Sequence, residues 1–151
     1  MRRKPHTPGS GIFSRPVVVL MLLGGCWSAL VNVALFAWTL ASGFDVQEAR
    51  TMTFVSLVLI QFCKAYSFRS ERHAVFQRPL ENRWLNGAVL WELALLGLLV
   101  YVPFLQAPFG TFPLPLVDWL ILLGAALTIV PVLEMAKWME RHGWFGPVEE
   151  I

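Results

Sequence analysis

The chain has 151 residues, of which 56% are hydrophobic and only 15% charged, and its formal net charge is +2. An average soluble domain carries roughly 25% charged residues, and here the charges are confined to a few short stretches. This composition argues against an ordinary soluble domain and predicts an all-α integral membrane protein, because roughly 20 apolar residues make one spanning helix.

Four apolar segments follow in chain order, and we predict that together they form a bundle of four transmembrane helices. They comprise residues 16–41, 51–68, 84–102 and 116–138. The first segment is too long for the apolar part of a secretory signal peptide and lacks a cleavage site. The second is the least apolar of the four because it contains Gln61 and Lys64. Residues 1–15 and 139–151 are predicted to flank this domain as an N-terminal segment and a C-terminal tail.

Basic residues cluster before the first segment, between the second and third, and at or beyond the end of the fourth. They are Arg2, Arg3, Lys4, Arg15, Arg69, Arg72, Arg78, Arg83, Lys137 and Arg141. Because lysine and arginine accumulate in cytoplasmic loops, both termini and the middle loop are predicted to be cytoplasmic. This topology accounts for the basic clusters, so we expect the lipid bilayer as a partner and no nucleic acid.

Three polar residues are predicted to lie in one layer at the centre of the bilayer: Asn32, Gln61 and Glu92. A carboxylate there costs roughly 2.5–3.5 kcal/mol on insertion scales, so Glu92 is the most costly residue to place. An ion or proton pathway is one interpretation, with Gln61 and Asn32 as weaker candidates. A protonated or hydrogen-bonded packing role for Glu92, and helix-joining amides, are the alternative. Lys64 lies one turn from the helix end and is predicted to extend to the membrane surface.

Motifs for soluble catalysis are missing from the sequence. It contains no GxxxxGK[ST], GxSxG or HExxH pattern, and no CxxC pair. Cys26 and Cys63 lie inside apolar segments, which favours packed thiols over a disulfide or a metal site. We therefore expect no enzyme activity from the chain alone and no cofactor.

Several stretches, in order, resemble the C-terminal membrane domain of P-type cation-transporting ATPases, in their calcium-pump and sodium/potassium-pump branches. Residues 1–15, MRRKPHTPGSGIFSR, resemble the loop before the seventh helix. Residues 49–77, ARTMTFVSLVLIQFCKAYSFRSERHAVFQ, resemble the eighth helix and its loop. Residues 82–123, with a Tyr-x-Pro and a later Leu-x-Asp-Trp, resemble the ninth and tenth helices, and EMAKWMER at 134–141 resembles the family's ending.

The resemblance implies that this chain supplies the last four of ten helices, which support the ion-transport helices. The phosphorylated aspartate motif, the nucleotide domain and the central ion-site helices of such pumps are not in this sequence. Gln61 matches the position of an acidic ligand in calcium pumps, and Glu92 matches a glutamate of the sodium/potassium pumps. A calcium or sodium ion is therefore implied only together with the rest of a pump.

Three functional hypotheses follow. The leading one is a non-catalytic C-terminal part of a split, truncated or fragmentary P-type cation pump, with the remaining parts of that pump as partners. The alternatives are a free-standing membrane subunit that regulates a pump, and a small proton-coupled transporter that uses Glu92. In each case we expect a multi-pass protein, in a bacterial cytoplasmic membrane.

Overall fold

The computed structural model describes residues 15–68 and 83–142, and all regular structure in these ranges is helical. The helices are α1 (Arg15–Ala41), α2 (Val46–Phe68), α3 (Arg83–Tyr101), α4 (Pro103–Phe109), α5 (Leu116–Leu127) and α6 (Ile129–Arg141). The all-α class is therefore confirmed. Nearly all of the predicted N-terminal segment 1–15, most of the basic middle loop and most of the tail 139–151 lie outside the described residues.

Within residues 15–68 and 83–142, three stretches are long and apolar enough to cross a membrane: Val18–Ala41, Arg83–Tyr101 and Leu116–Met139. They correspond to the first, third and fourth predicted segments. Helix α2 has 23 residues, about 34 Å, which is long enough to span, but it is not among these three. The fourth span and the cytoplasmic position of the termini therefore stay predictions.

A short turn at residues 42–45 joins α1 to α2 and depends on Gly43. This residue has a φ of 87°, a left-handed conformation that glycine adopts without a steric penalty. Its N–H donates to the Leu40 carbonyl at 3.1 Å, and the Phe44 N–H donates to the Thr39 carbonyl at 3.2 Å. These bonds satisfy carbonyls of the last turn of α1, so the chain reverses and lays α2 against α1.

The core lies between α1, α2 and the α5–α6 pair, and α2 contacts all the others in this group. Its most deeply buried large side chains are Met52, Ile60, Leu122, Ile129 and Leu133. Helix α1 presents one buried stripe with a spacing of three or four residues beyond its first turns, formed by Leu20, Ser28, Asn32, Leu35 and Thr39. Such spacing places side chains on one helix face.

Helix α3 lies at the edge of this core. It packs mainly against α4 and less extensively against α2, and only Leu96 and Val100 are buried along it. The two residues are one helical turn apart, near the end of α3 that leads into α4. In the first half of α3, Leu85, Asn86 and Val89 are half-buried, and the other residues are exposed.

The last apolar segment is broken into α5 and α6 at Thr128, although the sequence predicts one continuous helix over 116–138. Pro131 lacks the N–H that would bind the Leu127 carbonyl, and an interior proline disrupts a helix in this way. The Thr128 hydroxyl donates to the Ala125 carbonyl at 2.6 Å. It also accepts a 3.1 Å bond from the Trp27 indole N–H of α1, so the break is tied to the neighbouring helix.

The segment between α3 and α5 contains helix α4, which the sequence analysis treats as part of a loop. Pro103 starts it, since proline fits the first helical turn, and Gly110 ends it with a φ of 62°. The Tyr101 hydroxyl donates to the Leu114 carbonyl at 2.8 Å and accepts a 2.7 Å bond from the Trp119 indole N–H. These contacts fix the start of α5 beside the end of α3.

Candidate functional site

Asn32 is the one predicted site residue that points into the bundle. It is 8% exposed, and its side-chain N–H donates to the Ser28 carbonyl at 2.8 Å. Its side-chain oxygen is buried without a hydrogen-bond partner among the described residues, and so is the Ser56 hydroxyl on α2. Counted from the α1–α2 turn, both residues lie about 14–15 Å into their helices. They form a neutral polar layer with unused acceptors.

Gln61 points away from the core. It belongs to an exposed stripe of α2 that also includes Phe54 and Leu57, one helical turn apart. The opposite face of α2 carries the buried Met52 and Ile60. The amide is therefore presented on the outer surface of the bundle at the middle of a long helix.

Glu92 is also exposed, on the helix that packs least against the others. It lies four residues before the buried Leu96 and eight before Val100, so all three share one face of α3. Val89, one turn before Glu92, also packs against the core, so Glu92 lies beside the contact between α3 and the core. The carboxyl group thus sits at the margin between α3 and the core rather than inside it.

A hydrogen bond between α2 and α3 sets the relative depth of these two residues. The Tyr66 hydroxyl donates to the Asn86 side-chain oxygen at 2.8 Å. Gln61 lies about 7.5 Å along α2 from Tyr66, and Glu92 about 9 Å along α3 from Asn86. Since the two helices run in opposite directions from the segment that joins them, Gln61 and Glu92 lie at nearly the same depth.

The structure therefore separates the three predicted site residues into two groups. Gln61 and Glu92 face outward at one depth on neighbouring helices, whereas Asn32 faces inward on α1. Lys64 is half-buried on α2. A cation pathway through these residues stays a prediction. Among the described residues, no group of three or more histidine, cysteine, aspartate or glutamate side chains is close enough to hold a metal ion.

The sequence analysis missed a carboxylate pair at the ends of α2 and α5. Asp118 is only 5% exposed, and one of its oxygens is buried without a hydrogen-bond partner among the described residues. Glu48, ahead of the apolar part of α2, has a raised pKa because of burial first, and then because of the carboxylates of Asp118 and Asp45. Glu48 and Asp118 lie seventy positions apart in the sequence, which hides this proximity.

A second unexpected feature is the burial of Lys137, which the sequence analysis treats as a basic topology signal. It is 2% exposed. Its ammonium group donates to the Ser67 carbonyl at 2.7 Å and lies 3.3 Å from a Glu134 carboxylate oxygen. Ser67 belongs to the last turn of α2, whose carbonyls have no partner within the helix. Lys137 of α6 therefore caps α2.

The cysteines differ from expectation as well. Both are free, but Cys26 is exposed and only Cys63 is partly buried. A buried packing role is therefore wrong for Cys26. Its exposure follows from its place on the face of α1 opposite the stripe that contains Ser28 and Asn32.

Comparison with known proteins places this bundle at the end of much longer chains. Residues 1–139 match the family model described as "Cation transporting ATPase, C-terminus". The chain is 28% identical over 137 residues to the calcium-transporting ATPase of Bacillus subtilis, covering 90% of this chain and 15% of that protein.

Two eukaryotic relatives give a similar result. Calcium-transporting ATPase 1 of Schizosaccharomyces pombe is 30% identical over 143 residues, covering 94% of this chain and 16% of that protein. Human calcium-transporting ATPase type 2C member 1 is 29% identical over 142 residues, covering 93% and 16%. The chain thus spans about 15% of the length of the relatives it matches.

Proposed function

Since the chain belongs to the family of cation-transporting ATPase C-termini, we propose that it works as the non-catalytic transmembrane support of a P-type calcium pump. In this role α2 is the fourth span, and the bundle holds the ion-transport helices of the rest of the pump. The names of the matched relatives, all calcium-transporting ATPases, support calcium as the cation.

The observation that carries the proposal is the exposure of Glu92 together with Gln61 at one depth. A carboxylate on a lipid-facing surface is costly, and a polar group in a membrane is expected to face protein or water. The described bundle offers Glu92 no interior position. The outer face of α2 and α3 is therefore the surface on which the ion-transport helices pack, with Glu92 and Gln61 at the border of the cation pathway.

The side chains at this border offer oxygen atoms as ligands for a cation. Calcium prefers six to eight oxygen ligands from carboxylates, amides, carbonyls and water, and Glu92 and Gln61 supply one carboxylate and one amide. Two side chains do not complete such a shell, so the remaining ligands come from the partner helices. The buried acceptors of Asn32 and Ser56 line the support bundle behind this border.

The proposal is tested by calcium uptake into vesicles that contain the complete pump to which this chain contributes. Glu92→Gln should lower uptake about tenfold or more, since it removes the charged ligand. The matched carboxylate variant Glu48→Gln, outside the polar layer, should leave uptake nearly unchanged. Equal uptake by the original pump and Glu92→Gln would contradict a role for Glu92 at the pathway.

Two further measurements test the alternative functions. The 151-residue chain alone, placed in liposomes under a proton gradient, should show no proton flux. A flux that Glu92→Gln abolishes would assign the chain to a proton-coupled transporter instead. Full calcium uptake by the rest of the pump in the absence of this chain would assign it to a regulatory subunit.

A further inference from the structure

An open groove of about 730 Å³ runs along one exposed face of the first half of α3. It is lined by Arg83, Trp84, Gly87, Ala88 and Trp91. These positions repeat at intervals of three or four residues, which places them on one face of the helix. The described residues that line the groove all belong to α3 and include neither Glu92 nor Gln61.

The side chains give this groove a defined form. Trp84 and Trp91 are 89% and 68% exposed, and they stand about 10 Å apart along the helix axis. Between them, Gly87 and Ala88 leave a low floor. A Cβ atom added at Gly87 would meet no atom within 4 Å, so the space above this glycine is open. Two exposed indole rings thus flank the open surface over Gly87.

The charge of Arg83 and its depth in the membrane indicate which class of ligand fits the groove. Arg83 is exposed at the beginning of a candidate membrane span, so its guanidinium group lies at the membrane–water interface. Guanidinium binds phosphate through paired hydrogen bonds, and indole rings favour the same interface. From Arg83 to Trp91 the groove passes from a positive, water-accessible end into the hydrocarbon region. This is the order of an anionic headgroup followed by an acyl chain.

We propose that this face of α3 binds one anionic phospholipid, with its phosphate on Arg83 and an acyl chain between the two tryptophans over Gly87. The site requires only that α3 spans the membrane, and it does not depend on the calcium pathway. A zwitterionic lipid also carries a phosphate, but its added positive charge weakens attraction to Arg83. Selectivity for anionic lipid is therefore the property that distinguishes the site from general lipid contact.

The experiment measures lipid retained by the full 151-residue chain in mild detergent by native mass spectrometry. The probes are phosphatidylglycerol and phosphatidylcholine with identical acyl chains. The original chain should retain phosphatidylglycerol preferentially. Arg83→Gln should reduce that retention about fivefold, the effect of removing one basic residue near a membrane surface. Gly87→Leu should reduce retention of both lipids, because its side chain fills the floor of the groove.

Matched controls come from the same chain. Arg50→Gln removes an exposed arginine from α2, and Gly97→Leu adds the same side chain to α3 where a Cβ also meets no atom within 4 Å. Both should leave retention unchanged. Circular dichroism checks that each variant keeps its helix content, and if Arg83→Gln does not fold, Gly87→Leu against Gly97→Leu still decides the outcome.

Three results would overturn the proposal. Equal retention of the two lipids, or equal loss in Arg83→Gln and Arg50→Gln, would show that Arg83 does not select the headgroup. Displacement of phosphatidylglycerol by soluble glycerol phosphate at equal concentration would assign the site to a free phosphate compound. Retention of no lipid at all would leave the groove as a protein contact.

Discussion

The α1, α2, α5 and α6 core and the peripheral helix α3 are both apolar enough to lie in a bilayer, yet they differ sharply in packing. In the first and last candidate spans 28% of the most apolar window is buried, against 11% in α3. The mean hydropathy of α3 is also lower, 1.5 against 2.1 and 2.3, but all three are apolar enough to span, so the difference in burial comes from which helix faces find a neighbour. The core helices bury part of their surface against one another, whereas α3 buries little of its surface within the described residues.

The largest expected effect is loss of stability from a cavity in the core. Leu122→Ala should lower the free energy of unfolding by about 2 kcal/mol, at the low end for buried leucine because packing rather than water exclusion dominates in detergent or lipid. Leu98→Ala, on the exposed side of α3, should change it by less than about 0.5 kcal/mol. Unfolding by sodium dodecyl sulfate, followed by circular dichroism, measures both. Equal losses would mean that α3 packs as tightly as the core.

A similar effect is expected where Lys137 caps α2. Lys137→Met keeps much of the side-chain volume but removes the donor to the Ser67 carbonyl and the partner of Glu134. The free energy of unfolding should fall by about 2 kcal/mol, the typical range for a hydrogen bond to a charged group. Lys64→Met, at a half-buried position of α2, serves as the matched control in the same titration. A smaller loss in Lys137→Met than in this control would refute the capping role.

The smallest effect concerns Glu48 and its dependence on pH. Because its pKa in the folded chain is raised above the ordinary value of 4.5, its stabilising contribution is complete below that ordinary value. The contribution is lost as the pH rises through the folded-state pKa. Glu48→Gln should therefore weaken the loss of thermal stability as the pH rises from about 4.5.

The matched variants for this pH effect are its two carboxylate neighbours. Asp118→Asn should weaken the dependence more than Asp45→Asn, because Asp118 contributes more to the raised pKa of Glu48. Melting temperatures measured in one detergent between pH 4 and 8 compare the four proteins. An unchanged slope in Glu48→Gln would show that this carboxyl group does not report on the α2–α5 contact.

The sequence predicts the long helices well where apolar composition alone decides. Helix α1 was expected over 16–41 and is found over Arg15–Ala41, and α3 was expected over 84–102 and is found over Arg83–Tyr101. Helix α4 was missed because seven residues flanked by proline and glycine look like a loop. The break at Thr128 was missed because the apolar run continues through it.

Side-chain orientation is less accessible to sequence reasoning. Hydropathy gives the depth of Gln61 and Glu92 but not the face on which they lie, since every face of such a helix is apolar. The burial of Lys137 depends on a carbonyl seventy positions away, at Ser67. That of Asp118 depends on how α5 packs against α2. In the sequence alone, Lys137 and Asp118 look like ordinary charged residues near the ends of a membrane span.

The central claim is that the outer face of α2 and α3 becomes a protein contact in the assembled pump. Spin labels at Gln61→Cys and Glu92→Cys, in a chain with Cys26 and Cys63 replaced, measure accessibility to oxygen dissolved in lipid. The account predicts high accessibility in the chain alone and a fall toward the level of a core label at Leu133→Cys in the complete pump. Accessibility that stays high at both positions after assembly would contradict it.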